Sequence, residues 1–267
     1  SPARAINAAM GELQGQLLGL WIDGARLASP GIVTRAVEAW RADSSRAIGT
    51  LAFHLGPDVQ MRSVFDGYAA AAEDGLLDSV PWREDGYRLF DISVLAGSSA
   101  PGWFGCINET NGLFADRALW TTLGGLDERF EAPGGGFVNL DLWQRAVAAS
   151  QGQPWMILGE GTFHQVHGGA ATNGKAEARA AMRKEFEAIH GRPFLKPTYQ
   201  ARFVGTLDDT RYLAGAPRPL DRHRKVHAVR GRPFCTGLAP REMAGIQSGT
   251  LRTAYKGLRL AKNPFDL

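Results

Sequence analysis

From Ala3 to His190, short apolar runs alternate with stretches in which apolar residues recur every three to four positions. That switching of period constrains the fold more than any other feature of the chain. Small and apolar residues between Ala3 and Leu13 have helical spacing, and Leu17 to Ile22 is a short apolar run ending at Asp23. Ser29-Pro30 then supplies a helix N-cap and a proline at the first helical position, ahead of Ile32, Val33, Ala36, Val37 and Trp40. Asp23 is thereby expected on a strand-to-helix loop.

Ala47 to Phe53 reads as a strand, the alanine-rich stretch from Pro57 to Leu77 as a helix, and Tyr87 to Val94 as another strand. Further on, Asn111 to Phe114 is a short strand, Arg117 to Leu123 a helix, and Val138 to Ala149 a helix entered through Gly134-Gly135-Gly136. Trp155 to Leu158 and Thr162 to His167 read as two strand segments, and Ala176 to His190 as an amphipathic helix. This interleaving predicts an α/β fold with a largely parallel sheet, whose ligand crevice lies at the carboxyl ends of the strands.

The longest near-continuous apolar run, Leu17 to Ile22, is far short of the roughly 20 residues that a membrane-spanning helix requires. Cys106 and Cys235 are too few for a disulfide scaffold or a thiolate metal site, and Ser1-Pro2-Ala3-Arg4 carries no secretory pattern, so a cytoplasmic location is expected. Beyond Gly191 the chain becomes rich in Pro, Gly and Arg, which predicts a boundary near residue 195: a domain over 1–195 and a basic, loop-rich extension over 196–267. Arg218, Arg222, Arg224, Lys225, Arg230 and Arg232 contribute much of the formal charge of +3. Such a tract is a solvated surface, or a place where an anionic membrane touches the protein peripherally; nothing in it specifies nucleic acid.

Three stretches concentrate chemically capable residues. The first is Leu20-Trp21-Ile22-Asp23-Gly24-Ala25-Arg26, followed by Ser29-Pro30-Gly31. The second runs through Leu123-Gly124-Gly125-Leu126-Asp127-Glu128-Arg129-Phe130 to Asn139, Asp141-Leu142 and Arg145. The third, Gly159-Glu160-Gly161-Thr162-Phe163-His164-Gln165-Val166-His167, sets two histidines three apart among glycines. On an unbroken strand these histidines would face opposite sides, so both can serve one metal ion only if the strand breaks between them. Trp103, between Gly102 and Phe104, could stack on the apolar face of a sugar ring or simply pack in the core.

In their order and spacing these stretches resemble the family 2 nucleotide-sugar glycosyltransferases of the GT-A type. Those enzymes carry an apolar strand ending in Asp-x-Asp, a Gly-Gly-Phe-Asp-Glu-x-Phe stretch and a Glu-Asp-x-Asp-Leu-x-x-Arg helix start. The resemblance spans about Ser1 to His190 and implies a Rossmann-like mixed sheet flanked by helices, here without the opening strands that hold the nucleotide base. It therefore implies that the chain is a piece of a longer protein. The implied activity is transfer of a sugar from a nucleotide-sugar donor to a glycan or lipid-linked acceptor, in cell-surface polysaccharide or glycoconjugate synthesis, with a divalent cation, Mn2+ or Mg2+.

Carried over by position, the metal ligands implied are Asp23 with His164 or His167, and the substrate contacts are Asp23, Arg26, Asn139, Trp103, Asp127 and Glu128. The second aspartate of Asp-x-Asp is Ala25 here, and the Glu-Asp pair containing the family's base falls on Val138 and Asn139. An amide cannot usefully accept a proton, so Asp141 or Glu109 is expected to act as the base. Ala25 and Asn139 also support a rival reading, a non-catalytic saccharide- or nucleotide-binding relative. Two further rivals are a metal hydrolase using Asp23, Glu160, His164 and His167, and an anion- or nucleic-acid-binding protein using residues 218–232.

Overall fold

The computed structural model describes residues 1–21, 25–167 and 176–207. Two strands form its centre. All eight residues of β3 (Ile48–Leu55) and all ten of β6 (Trp155–His164) are buried, as expected of strands covered on both faces. They run parallel, with His54 opposite His164 at their carboxyl ends. On the outer edge of β6, β7 (Arg202–Gly205) pairs in parallel with the first half, and β2 (Arg26–Ala28) pairs antiparallel with the second half, Arg26 opposite His164. On the far side of β3, β5 (Gly112–Asp116) joins near its start and β4 (Ser93–Leu95) near its end, both antiparallel. β1 (Leu17–Trp21) completes the seven-stranded sheet against β5.

The sheet is thus open and mixed. Parallel pairing is confined to β3 with β6 and β6 with β7, which corrects the expectation of a largely parallel sheet. Trp155–Leu158 and Thr162–His167, read as two segments, are in fact one bulged strand that stops at His164. The β3 register jumps between Gly49 and Leu51 while β6 advances from Met156 to Gly161. Gly159 takes φ +76° at the bulge, a conformation glycine adopts without penalty. The kink lets β6 exchange β7 for β2 as its neighbour.

Helices α1 (Ala3–Glu12), α2 (Ile32–Ala42), α5 (Arg117–Leu123), α6 (Val138–Ala149) and α7 (Ala176–His190) follow the periodicity closely. Ser29 does not cap α2, however: its hydroxyl accepts from Gly161 N–H at 2.9 Å. The carboxylate of Glu160 instead accepts from Gly31 N–H at 3.1 Å, where the helix dipole favours negative charge. The stretch expected as one helix after Pro57 breaks at Gly67 into α3 (Gln60–Ser63) and α4 (Ala70–Asp78). Most of the expected strand from Tyr87 is a 3₁₀ helix, Gly86–Ile92.

Packing continues past the boundary expected near residue 195. Tyr199, Phe203 and Leu207 are all core residues, and the Tyr199 hydroxyl accepts from the buried Ile107 N–H at 2.9 Å. Residues 196–207 therefore belong with the sheet, while the basic tract over 218–232 lies outside the described residues. Among the described residues no helix is long and apolar enough to cross a membrane.

Candidate functional site

The carboxyl ends of β3 and β6 bring together His54, His164 and, just past the strand end, His167. The condition set by the spacing is met: β6 stops at His164, and the chain leaves the sheet so that His167 turns back with its Nε2 3.0 Å from His164 Nε2. His54 packs against the other side of His164, ring centroids 5.2 Å apart. Gln60, on the short helix α3, is wholly buried between them. Its backbone N–H donates to His54 Nδ1 at 2.8 Å and its side-chain Nε2 donates to the His164 carbonyl at 3.0 Å, while its Oε1 lies 2.5 Å from His164 Nδ1.

The segment after β6 is held from two more sides. Val166 N–H donates to the carboxyl of Glu73, a buried residue of α4, at 2.8 Å, and Gln165 N–H donates to the Ala25 carbonyl at 2.9 Å. Burial pushes the Glu73 carboxyl up from its ordinary range, against the opposing hydrogen bonds from Val166 and Tyr68. On the β2 side, Arg26 Nη1 reaches Thr162 Oγ1 at 3.5 Å. The charge of this guanidinium also acts on Glu109. Desolvation raises the affinity of its carboxyl for a proton, partly offset by the Arg26 charge and by a hydrogen bond from Ser98. A carboxyl poised in this way beside a cation is suited to proton transfer.

Arg26, His164 and His167, singled out from sequence, are therefore gathered at the carboxyl ends of the central strands, and Glu109 feels the Arg26 charge. Asp23, three positions before Arg26, lies outside the described residues. Gln60, Glu73 and His54 escaped the sequence reading. His54, at the end of a fully apolar run, was the available signal. Gln60 and Glu73 looked like polar positions of an alanine-rich surface helix.

The second stretch lies elsewhere. Near its start α7 touches Met61, the neighbour of Gln60, through Arg179, and at its end His190 reaches Asp141. Eleven helical residues separate these contacts by about 16 Å. Asp141 is 1% exposed. One of its oxygens is 2.8 Å from Arg145 Nε; the other is 3.1 Å from His190 Nε2, at ion-pair distance but off the line of a hydrogen bond. Arg145 in turn donates to the Leu123 and Gly125 carbonyls. With both oxygens engaged and no exposed surface, Asp141 is in no position to take a proton from an acceptor, and the expectation of a base there is corrected to a structural one.

Asp127, whose carboxyl Arg129 holds below the ordinary range, completes a trio with Asp141 and His190 whose ligand atoms lie within 4.8 Å of one another. Arg129 and Arg145 already neutralise these carboxylates, so the trio does not require a cation. Exposed Glu128 receives a hydrogen bond from Asn7 Nδ2 at 3.0 Å and lies 3.6 Å from Arg4. Half-buried Asn139 sits in the first turn of α6. Trp103 is 3% exposed and packs against Phe53 and Phe90. It is a core residue and cannot offer its face to a sugar.

The His164–His167 pair fits a metal ion by its donor chemistry. Two imidazole nitrogens turned toward one another suit a transition-metal ion better than Mg2+, which prefers oxygen ligands. Comparison of the chain with protein-family models, with curated proteins and with solved structures gives no match.

Proposed function

We propose that this chain is a GT-A type glycosyltransferase, moving a sugar from a nucleotide-sugar donor to a hydroxyl of a glycan or lipid-linked acceptor. The observation that supports the reading is the convergence of Arg26, His164 and His167 on the carboxyl ends of the central strands, with the Arg26 charge acting on Glu109. In the transfer, the acceptor oxygen bonds to the anomeric carbon and gives its proton to the Glu109 carboxylate. The bond from that carbon to the diphosphate breaks, and the diphosphate leaves with the electron pair. Arg26 offers a guanidinium to its negative charge. His164 and His167 are the residues that would hold a divalent cation, which supplies further neutralisation of the leaving group when bound.

The test is release of nucleoside diphosphate by the full chain from a panel of nucleotide-sugars with Mn2+. Glu109→Gln is expected to slow turnover by about 10²- to 10⁴-fold, the usual worth of a positioned base, while donor binding persists. An unchanged rate would refute the role of Glu109.

One observation favours a second reading, a non-catalytic saccharide- or nucleotide-binding relative. The helix start that resembles the family's base carries Asn139, and the nearby Asp141 is buried in an ion pair with Arg145. That reading predicts donor binding without turnover in the unaltered chain.

A further inference from the structure

We infer that Gln60 is the positioning residue of the imidazole pair: it holds His164 as the Nδ1–H tautomer, so that the His164 Nε2 lone pair faces His167. The inference concerns the site of the proposed function and rests on that reading only for what binds there. Its logic is donor-acceptor accounting around one buried amide.

The His164 carbonyl can only accept, so the Gln60 side-chain atom 3.0 Å from it is the amide nitrogen. That fixes the orientation of the amide, because a flip would set two oxygens against each other. Oε1 then faces His164 Nδ1 at 2.5 Å, and an amide oxygen can only accept, so Nδ1 carries the hydrogen. A neutral imidazole with its hydrogen on Nδ1 has its lone pair on Nε2. This atom lies 3.0 Å from His167 Nε2. Without an ion, His167 donates its Nε2–H to that lone pair. With His167 in the opposite tautomer, both lone pairs are presented to a single cation.

The same residue fixes His54. The Gln60 backbone N–H donates to His54 Nδ1 at 2.8 Å, so that nitrogen bears no hydrogen. His54 and His164, stacked at 5.2 Å, are thus set in opposite tautomers by one glutamine. Gln60 has 0% exposure, which leaves little room for the amide to exchange these bonds with water. Orientation of a ligating imidazole through its second nitrogen is a general device of metal sites, and loss of such a partner costs about 10- to 100-fold in affinity.

The experiment is long-range ¹H–¹⁵N correlation of the histidine rings in the full chain at about pH 8, above the ordinary imidazole pKa. His164 is expected as the Nδ1–H tautomer and His54 as the Nε2–H tautomer. Gln60→Leu should abolish the His164 preference and weaken Zn2+ binding by about 10- to 100-fold. An Nε2–H signal for His164 in the unaltered chain overturns the inference whether or not a variant folds, and so does an unchanged tautomer in Gln60→Leu. Neither readout uses a nucleotide or an acceptor, so absence of transferase activity would count against the proposed function and leave this result standing.

Discussion

His164 and His167 approach to 3.0 Å between their Nε2 atoms because β6 ends at the first of them and the chain turns before the second. The turn is secured at consecutive backbone amides, Gln165 N–H on the Ala25 carbonyl and Val166 N–H on the Glu73 carboxyl. Two loops that are distant in sequence are therefore stitched together at the strand ends where Arg26 also lies.

If the pair is the cation site, His164→Ala and His167→Ala each remove one of two imidazole donors. Titration calorimetry with Zn2+ or Mn2+ is expected to show affinity lower by at least about 10-fold in either variant, while Asp127→Asn leaves it unchanged. Unchanged binding by both histidine variants with loss in Asp127→Asn would move the site to the trio around Asp141.

Glu73 links stability to pH. Its carboxyl binds a proton more tightly in the folded chain than in the unfolded one, because burial disfavours the charged form. Folding stability conferred by this group is therefore present below the unfolded value, near about 4.3, and is lost as pH rises through the elevated folded value. Glu73→Gln keeps an acceptor for Val166 and carries no charge. Its melting temperature relative to the parent should match at acid pH and rise progressively above it toward neutrality. A difference that is constant with pH would contradict the assignment.

Arg145 is expected to act on stability alone. Arg145→Ala leaves buried Asp141 beside His190 and the like-charged Asp127, and breaking such a pair costs about 3–5 kcal/mol. At roughly 2–4 °C per kcal/mol for a chain of this size, calorimetry should find a melting temperature lower by about 6–20 °C. Cation affinity per folded molecule should not change.

Gly125 joins α1 to the turn before α6. It has φ +70°, and an added Cβ would overlap Asn7 Oδ1, which accepts from Leu126 N–H at 2.8 Å. Gly125→Ala is expected to cost about 1–3 kcal/mol by denaturant titration, and Asn7→Ala should remove only the part due to the overlap, the strain of the positive φ remaining.

Helices with a continuous apolar face were legible in the sequence, and α5 and α6 fall on the expected residues. Strand pairing was less so. Nothing local in Arg202–Gly205 marks it as a partner for β6, and the glycines at 159 and 161 looked like an interruption between strands, not a bulge within one. At the candidate site the histidine pair stood out by density, and Glu109 entered as a substitute for the base that Asn139 replaces. Gln60 and Glu73 did not, because their burial arises only when the short helices after Pro57 fold back over the strand ends. Asp141 misled for the opposite reason: its neighbours in sequence match a catalytic helix start, while its neighbours in space are Arg145 and His190.

The most direct test of the central claim is ring-resonance spectroscopy of the full chain during addition of nucleotide-sugars in the presence of Mn2+. The account predicts that His164 and His167 are the first signals to broaden, that a nucleoside diphosphate strengthens the effect, and that His190 is spared. Broadening centred on His190, or no response of His164 and His167 to any donor, would contradict it.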